Sequence, residues 1–264
     1  MSALARHARI LRHYARVGLV RKSQFRTEFL VQVIMDCFWY TSHVLVFEFL
    51  YAHTESIAGW ERAEVRVFLG YMFVADAFMM TWLGKGWTFG KDLKDGNLDP
   101  VRLRPASPIV LYFFQLFSVE GLTNMSIALA YLLYACHSAG LELGLETALL
   151  FGWGILLAWW GRTVLSVGFS ILEFWVLHSD LSQFFSELVM APSNQPLDVF
   201  GARLKGFFLY AVPAGAMAFL PASIALSRMS PLAGLLHTSW VVLLGLGAFR
   251  FWRYSFRRYE SALS

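Results

Sequence analysis

Charge is scarce in this sequence. Asp, Glu, Lys and Arg make up only 15% of its 264 residues, where a soluble domain carries about a quarter. An ordinary water-soluble domain is therefore excluded. Cysteine is scarcer still. Cys37 and Cys136 are the only two, both in or beside apolar runs, so no disulfide framework follows and both read as small buried hydrophobes. Zinc-protease spacing (His-Glu-x-x-His) is absent, and the seven histidines are scattered without paired helical spacing, which leaves no metal site to expect. A phosphate-binding loop is lacking too. The nearest approach, from Gly86 through Gly90 and Lys91 to Asp92, has one residue too few between its glycines and an acid where Ser or Thr should hold magnesium. The chain is not expected to hydrolyse ATP by itself. No repeat of roughly 20 to 50 residues is visible and no low-complexity linker divides the chain, so residues 1–264 read as one domain. A cleavable signal peptide is not expected, because the first long apolar run starts near Phe29 behind many arginines.

What fills the sequence instead is oil. Hydrophobic residues form 57% of the chain and mean hydropathy is +0.52, the composition of an all-α, multi-span membrane protein. Six runs are long enough for transmembrane helices, each reaching the roughly 17 residues a crossing needs: Glu28–Tyr51, Val67–Leu83, Ile109–Tyr134, Thr147–Leu177, Gly206–Leu226 and Leu232–Phe251. The fifth contains Pro213 and Pro221, which free backbone groups and predict a kinked or broken span. Ahead of the first span, residues 1–27 hold an amphipathic stretch. Leu4, Ile10, Leu11, Tyr14 and Val17 fall on one side of a helix, and Arg6, Arg9, Arg12 and Arg16 on the other. Such a helix lies in the headgroup plane with its arginines toward anionic lipid phosphates.

Six spans put both termini on one side. Seven Lys/Arg stand in the amino tail, five in residues 85–104, two in the loop before the fifth span and four in the carboxyl tail. The positive-inside rule makes that side cytoplasmic. These arginines flank spans and form no single basic face, so nucleic acid is not an expected partner. The same side receives Phe89–Pro108, FGKDLKDGNLDPVRLRPASP, a charged segment that cannot enter hydrocarbon and reads as a docking point for a soluble partner. A second cytoplasmic piece, 178–205, is expected to hold a short helix from Asp180 and Gln183, stopped by Pro192.

Six charges fall inside the expected spans: Asp36, Glu48, Asp76, Glu120, Arg162 and Glu173. An unpaired charge at mid-span costs at least about 2.5–3.5 kcal/mol, so these groups need partners. Asp36, Asp76, Glu120 and Arg162 form a candidate polar network that either lines a substrate path or only holds the bundle together. Trp159, Trp160, Trp240 and Trp252 fit an interfacial belt.

At the docking segment the chain resembles the membrane permease subunits of type-2 ABC exporters, closest to the small, separately encoded six-span bacterial permeases. In that branch a segment shaped like Gly-x-Leu-Asp-x-x-Leu-x-Arg-Pro-x-Ser-Pro follows the second span. Here it reads Gly96, Leu98, Asp99, Arg104, Pro105, Ser107 and Pro108, preceded by Phe89, Asp92 and Leu93. Arg102 stands where the pattern has its inner Leu, Leu103 comes one place later, and Pro100 shortens the helix. Weaker likenesses are Phe174-Trp175, Pro196-Leu197 with Phe200, and Pro213.

The resemblance implies that Asp92, Leu93, Gly96, Leu98, Asp99, Arg102, Leu103, Arg104 and Pro105 form a coupling helix seated in a separate ATPase subunit. Leu93 and Leu98 would be its apolar anchors, with Pro196, Leu197 and Phe200 as a second cytoplasmic contact. It further implies a dimer, with a second copy or a related permease, in the bacterial cytoplasmic membrane. ATP and magnesium would be bound by the partner chain. On that reading, Leu98→Asp or Gly96→Trp is expected to uncouple the complex. Two other readings remain open on the residues alone: a stand-alone ion- or proton-coupled carrier using Asp36, Asp76 or Arg162 as relay, and an intramembrane enzyme built on Asp36.

Overall fold

The computed structural model describes residues 3–24, 26–142, 144–176 and 192–259. Among these it is built almost wholly of helices. The amphipathic α1 (Ala3–Gln24) precedes α2 (Arg26–Tyr51). A small hairpin, β1 (Ser56–Ile57) and β2 (Trp60–Glu61), leads into α3 (Arg62–Phe78). A π-turn, Met79–Leu83, and a 3₁₀ turn, Gly84–Thr88, carry α3 on to the short α4 (Phe89–Lys94), α5 (Asp99–Arg102) and α6 (Pro108–Phe113). The long α7 (Val119–Ser138) and α8 (Leu145–Trp175) follow. Beyond residue 192 come α9 (Ala202–Gly206), α10 (Phe219–Ala225) and α11 (Pro231–Arg258). Five stretches among the described residues are long and apolar enough to cross a membrane: Thr27–Tyr51, Arg62–Lys94, Val119–Ser138, Leu145–Trp175 and Pro231–Arg258.

Local chemistry sets the boundaries. Ser118 Oγ accepts the Gly121 N–H at the start of α7, and Ser230 Oγ accepts the Ala233 N–H at the start of α11, where Pro231 occupies the first position. Glu61 and Glu64 form a reciprocal capping box at the start of α3. The hairpin turns on Ala58 and Gly59, with φ of +51° and +79°, the two left-handed residues that a tight two-residue loop demands.

Helix α3 is the centre of the bundle, buried along most of its length from Val65 to Ala77, whereas α2 and α11 are largely exposed. Small residues let the backbones approach, as hydrocarbon gives helices no hydrophobic reason to associate. A Cβ on Gly70 would strike Leu132 of α7, and one on Gly121 would strike the Thr81 backbone.

The two ends of the bundle are distinct. At the hairpin end, fully buried Trp60 accepts a hydrogen bond from the Tyr51 hydroxyl (2.8 Å) and lies under the Arg228 guanidinium, 4.4 Å from its ring centre. At the segment end, Phe174 and Trp175 close α8 against Phe89 and Ser255.

The fifth expected span, Gly206–Leu226, is corrected by these contacts. The Trp60 indole donates to Asp198 (2.7 Å), and Leu197 packs in the same buried cluster, so residues 197 and 198 begin at the hairpin end. Ala216 then reaches Gly161, halfway along α8. Val212 is extended before Pro213, which breaks the helix. From there α10 returns, with Ile224 against Gly234 and Arg228 on Glu64 (2.6 Å). The element is re-entrant. Pro196, Leu197 and Phe200, expected beside the coupling segment, sit at the opposite end of the bundle. The expected capping pair Asp180 and Gln183 lies outside the described residues. The third expected span also divides, into α6 and α7. Of the belt tryptophans, Trp252 is fully buried and donates to Ser170 Oγ (3.0 Å), Trp159 and Trp160 are half-buried, the latter donating to the Val241 carbonyl (3.2 Å), and Trp240 is exposed.

The re-entrant path has a direct test. With Cys37 and Cys136 replaced by Ser, a cysteine at exposed Val199 and one at exposed Leu103 are expected to label from opposite faces of the membrane with an impermeant maleimide. Labelling from the same face would sink the re-entrant assignment.

Candidate functional site

The segment from Gly84 to Pro108 is knotted around one carboxylate. Asp92 is only 6% exposed, and its side chain accepts from Lys85 Nζ (2.6 Å), the Tyr112 hydroxyl (2.6 Å), Thr88 Oγ1 (3.1 Å) and Asn97 Nδ2 (3.1 Å). Four donors on one buried acid meet the requirement that a desolvated charge be both paired and hydrogen-bonded. Burial and the adjacent Asp92 carboxylate push the Tyr112 phenol far above its ordinary pKa, so it remains a donor. Gly96, with φ +70°, makes the left-handed turn that lets Asn97 fold back, its N–H donating to the Asp92 carbonyl (2.9 Å).

This geometry revises the expected roles. Leu93 and Leu98 are buried, in a cluster with Phe89, Phe113, Trp252 and Phe256, and cannot be anchors presented to a partner. Gly96 is buried as well, so Leu98→Asp or Gly96→Trp would disrupt the segment itself before touching any docking. Asp99 is half-buried at the start of α5. The outward face consists of Arg102, Leu103, Arg104 and Pro105, with Leu103 86% exposed. Positions 102 and 103 both face outward, so the leucine displaced by one place along the sequence remains at the surface.

Two further elements brace the segment. The Tyr259 hydroxyl donates to the Leu93 carbonyl (3.2 Å), and Arg102 Nη1 donates to the Tyr259 carbonyl (3.0 Å), tying it to the end of α11. On the other side the Ser107 N–H donates to His7 Nε2 (3.1 Å) of α1. Lys85, Tyr112, Tyr259 and His7 were not singled out by sequence reasoning. Lys85 carried the one available signal, a cation seven residues, two helical turns, before Asp92.

Of the expected intramembrane network, Asp36 accepts from Gln32 Nε2 (3.0 Å) and Asn124 Nδ2 (2.6 Å). Asp76 lies within electrostatic reach of Arg162, Asp36 and His43. Buried Arg162 lies against the thioethers of Met79 and Met217 and over the Trp87 ring (5.9 Å). Glu120, at the start of α7, accepts from Ser118 Oγ (2.8 Å). Glu48, also expected inside a span, pairs with Arg62 and Arg66 at the hairpin end. Among the described residues no group of three or more His, Cys, Asp or Glu is placed to hold a metal ion.

A hydrophobic helical bundle with a braced polar segment after its second span is the build of a transport permease. The family model described as ABC-2 family transporter protein matches residues 37–262, and the chain belongs to that family. It is a multi-pass membrane protein, the permease component of an ABC transporter. No curated protein and no solved structure matches it.

Removing the central carboxylate should loosen the whole segment. Asp92→Ala leaves Lys85 and Tyr112 without their acceptor and is expected to cost on the order of 3 kcal/mol, whereas exposed Arg104→Ala should change stability by less than about 0.5 kcal/mol. Thermal unfolding of the purified variants in detergent measures both. Equal melting temperatures would remove Asp92 from its central role.

Proposed function

We propose that this chain is the permease of an ATP-driven exporter of a hydrophobic or amphipathic substrate. It works as a dimer, with a second copy or a related permease, in the bacterial cytoplasmic membrane. The ATP-hydrolysing subunit is a separate chain that docks on the α4–α6 segment from the cytoplasm, where both termini also lie. The observation that carries this reading is the exposure of Leu103. A leucine 86% exposed between Arg102 and Arg104 offers a partner an apolar contact flanked by charges that orient and specify docking.

The build suits the task. A partner pushing on Leu103 meets a segment that cannot yield separately, because Asp92 fastens α4 to α6 and Tyr259 fastens it to α11. Displacement would then pass to α3, with which α4 is nearly continuous, and to the long helices behind it. Rigid-body movement of packed helices is the ordinary route by which such a push changes access to a path. The hydrophobic or amphipathic class of the cargo is supported by the apolar, aromatic-rich spans.

Leu103→Asp is expected to abolish co-purification of the ATPase subunit, a loss of at least tenfold, while the permease keeps its melting temperature. Leu98→Asp should lower the melting temperature. Full ATPase recovery with Leu103→Asp would refute the docking face.

A further inference from the structure

Helix α1 is seated on the stretch that leaves the coupling segment. Ser107 N–H donates to His7, the Tyr14 hydroxyl donates to the Leu111 carbonyl (3.4 Å), and a Cβ on Gly18 would strike the Phe117 carbonyl. His7, Tyr14 and Gly18 share one face of the helix, so α1 lies along residues 107–117 in a fixed register. Between the two runs a cleft of about 410 Å³, lined by Arg6, Arg9, Ile10, His13, Arg104 and Leu111 among others. A second cleft of about 570 Å³ adjoins it, sharing Arg9 and His13 and adding Arg12 and Arg16. Among the described residues no Asp or Glu lines either one.

Five arginines gathered around two adjoining clefts favour an anion between them, and among the described residues no carboxylate lines either cleft. The floor is apolar, formed by Ile10, Ala106 and Leu111. On the same helix Val17, Leu19 and Val20 are more than half exposed, which water would penalise and acyl chains would not. Phosphate above and hydrocarbon below is the chemistry of a phospholipid.

We propose that this cleft is a binding site for an anionic phospholipid, with Arg6, Arg9 and Arg104 on the phosphate and Ile10 and Leu111 under the first acyl carbons. Arg104 belongs to the outward face that carries Leu103, whereas Arg6 and Arg9 belong to α1. A lipid bridging them closes α1 onto the coupling segment and sets the pose in which Leu103 meets its partner. The effect on docking rests on the function proposed above; the binding itself does not.

The test uses the full chain, purified in detergent and titrated with phosphatidylglycerol, phosphatidylcholine of the same acyl chains, or inorganic phosphate. Bound lipid is counted by native mass spectrometry. At about fivefold per cation near an anionic headgroup, three cations should prefer phosphatidylglycerol by on the order of a hundredfold. The triple variant Arg6→Gln, Arg9→Gln, Arg104→Gln should bring the preference close to one. The control Arg250→Gln, Arg253→Gln, Arg257→Gln removes three exposed cations of α11 and should leave it unchanged.

Equal binding of phosphatidylcholine, or an equal loss in the control, would overturn the site. Displacement of phosphatidylglycerol by inorganic phosphate would overturn its assignment to a lipid. Because the chain is tested alone, this outcome is independent of whether Leu103→Asp releases an ATPase, and the two failures can be told apart.

Discussion

Hydrocarbon tolerates no unsatisfied charge, and beside the mid-bundle contacts of Asp36 and Arg162 this chain closes polar groups into two knots at the ends of the bundle. At one end Asp92 draws Lys85, Thr88, Asn97 and Tyr112 onto a single carboxylate. At the other, Trp60 gathers Tyr51, Asp198 and Arg228, with Glu64 held by the same arginine. Between them the helices slide on apolar surfaces that lipid could wet equally well, so their burial alone would not fix a register. The knots supply it. Each joins elements far apart in sequence: Trp60 to Asp198 and Arg228, and α4 through Tyr112 and Tyr259 to α6 and the end of α11.

Much of this was legible in the sequence, and the reasons are specific. Apolar runs such as Thr27–Tyr51 and Leu145–Trp175 announce their helices because nothing else can satisfy a backbone in lipid. The polar segment stood out because seven charges cannot be placed there otherwise. Its internal arrangement was not legible. Leu98 and Leu103 are the same residue type five positions apart, and only the turn at Gly96 and the Asp92 knot decide that one points inward and the other outward. The re-entrant element misled for a related reason. Gly206–Leu226 is as apolar as a true span, and hydropathy has no direction, so a chain that goes halfway and returns reads like one that crosses. Pro213 signalled the break but could not say on which side the chain emerges. The Lys/Arg count was equally misled by Arg203 and Lys205, which flank the re-entrant element at the hairpin end, where Lys205 is paired with Asp198.

The path from segment to bundle contains a geometrical weak point. α3 does not run straight into α4 but passes through a π-turn, Met79–Leu83, and a 3₁₀ turn, Gly84–Thr88. These are the two departures from α-helical winding that mark hinges, one wide and one tight. A five-residue π-turn followed by a five-residue 3₁₀ turn can exchange winding, lengthening one at the expense of the other, without breaking either helix. A push on the braced segment therefore reaches α3 through residues 79–88.

Arg162 occupies the place where that hinge meets the re-entrant element. Its guanidinium touches Met79, the first residue of the π-turn, and Met217, just past the tip that enters from the far end, with Asp76 one turn back on α3 as its electrostatic partner. Thioethers are flexible, polarisable neighbours that can change rotamer with little loss of packing, whereas a buried guanidinium cannot give up its charge and must follow its partners. Spatial contact of this kind becomes coupling only where the element between has two arrangements; what the structure shows is one guanidinium in contact with both the π-turn and the re-entrant element. The mid-membrane charge that the sequence left as either structural or functional thus stands between the two ends, held by both.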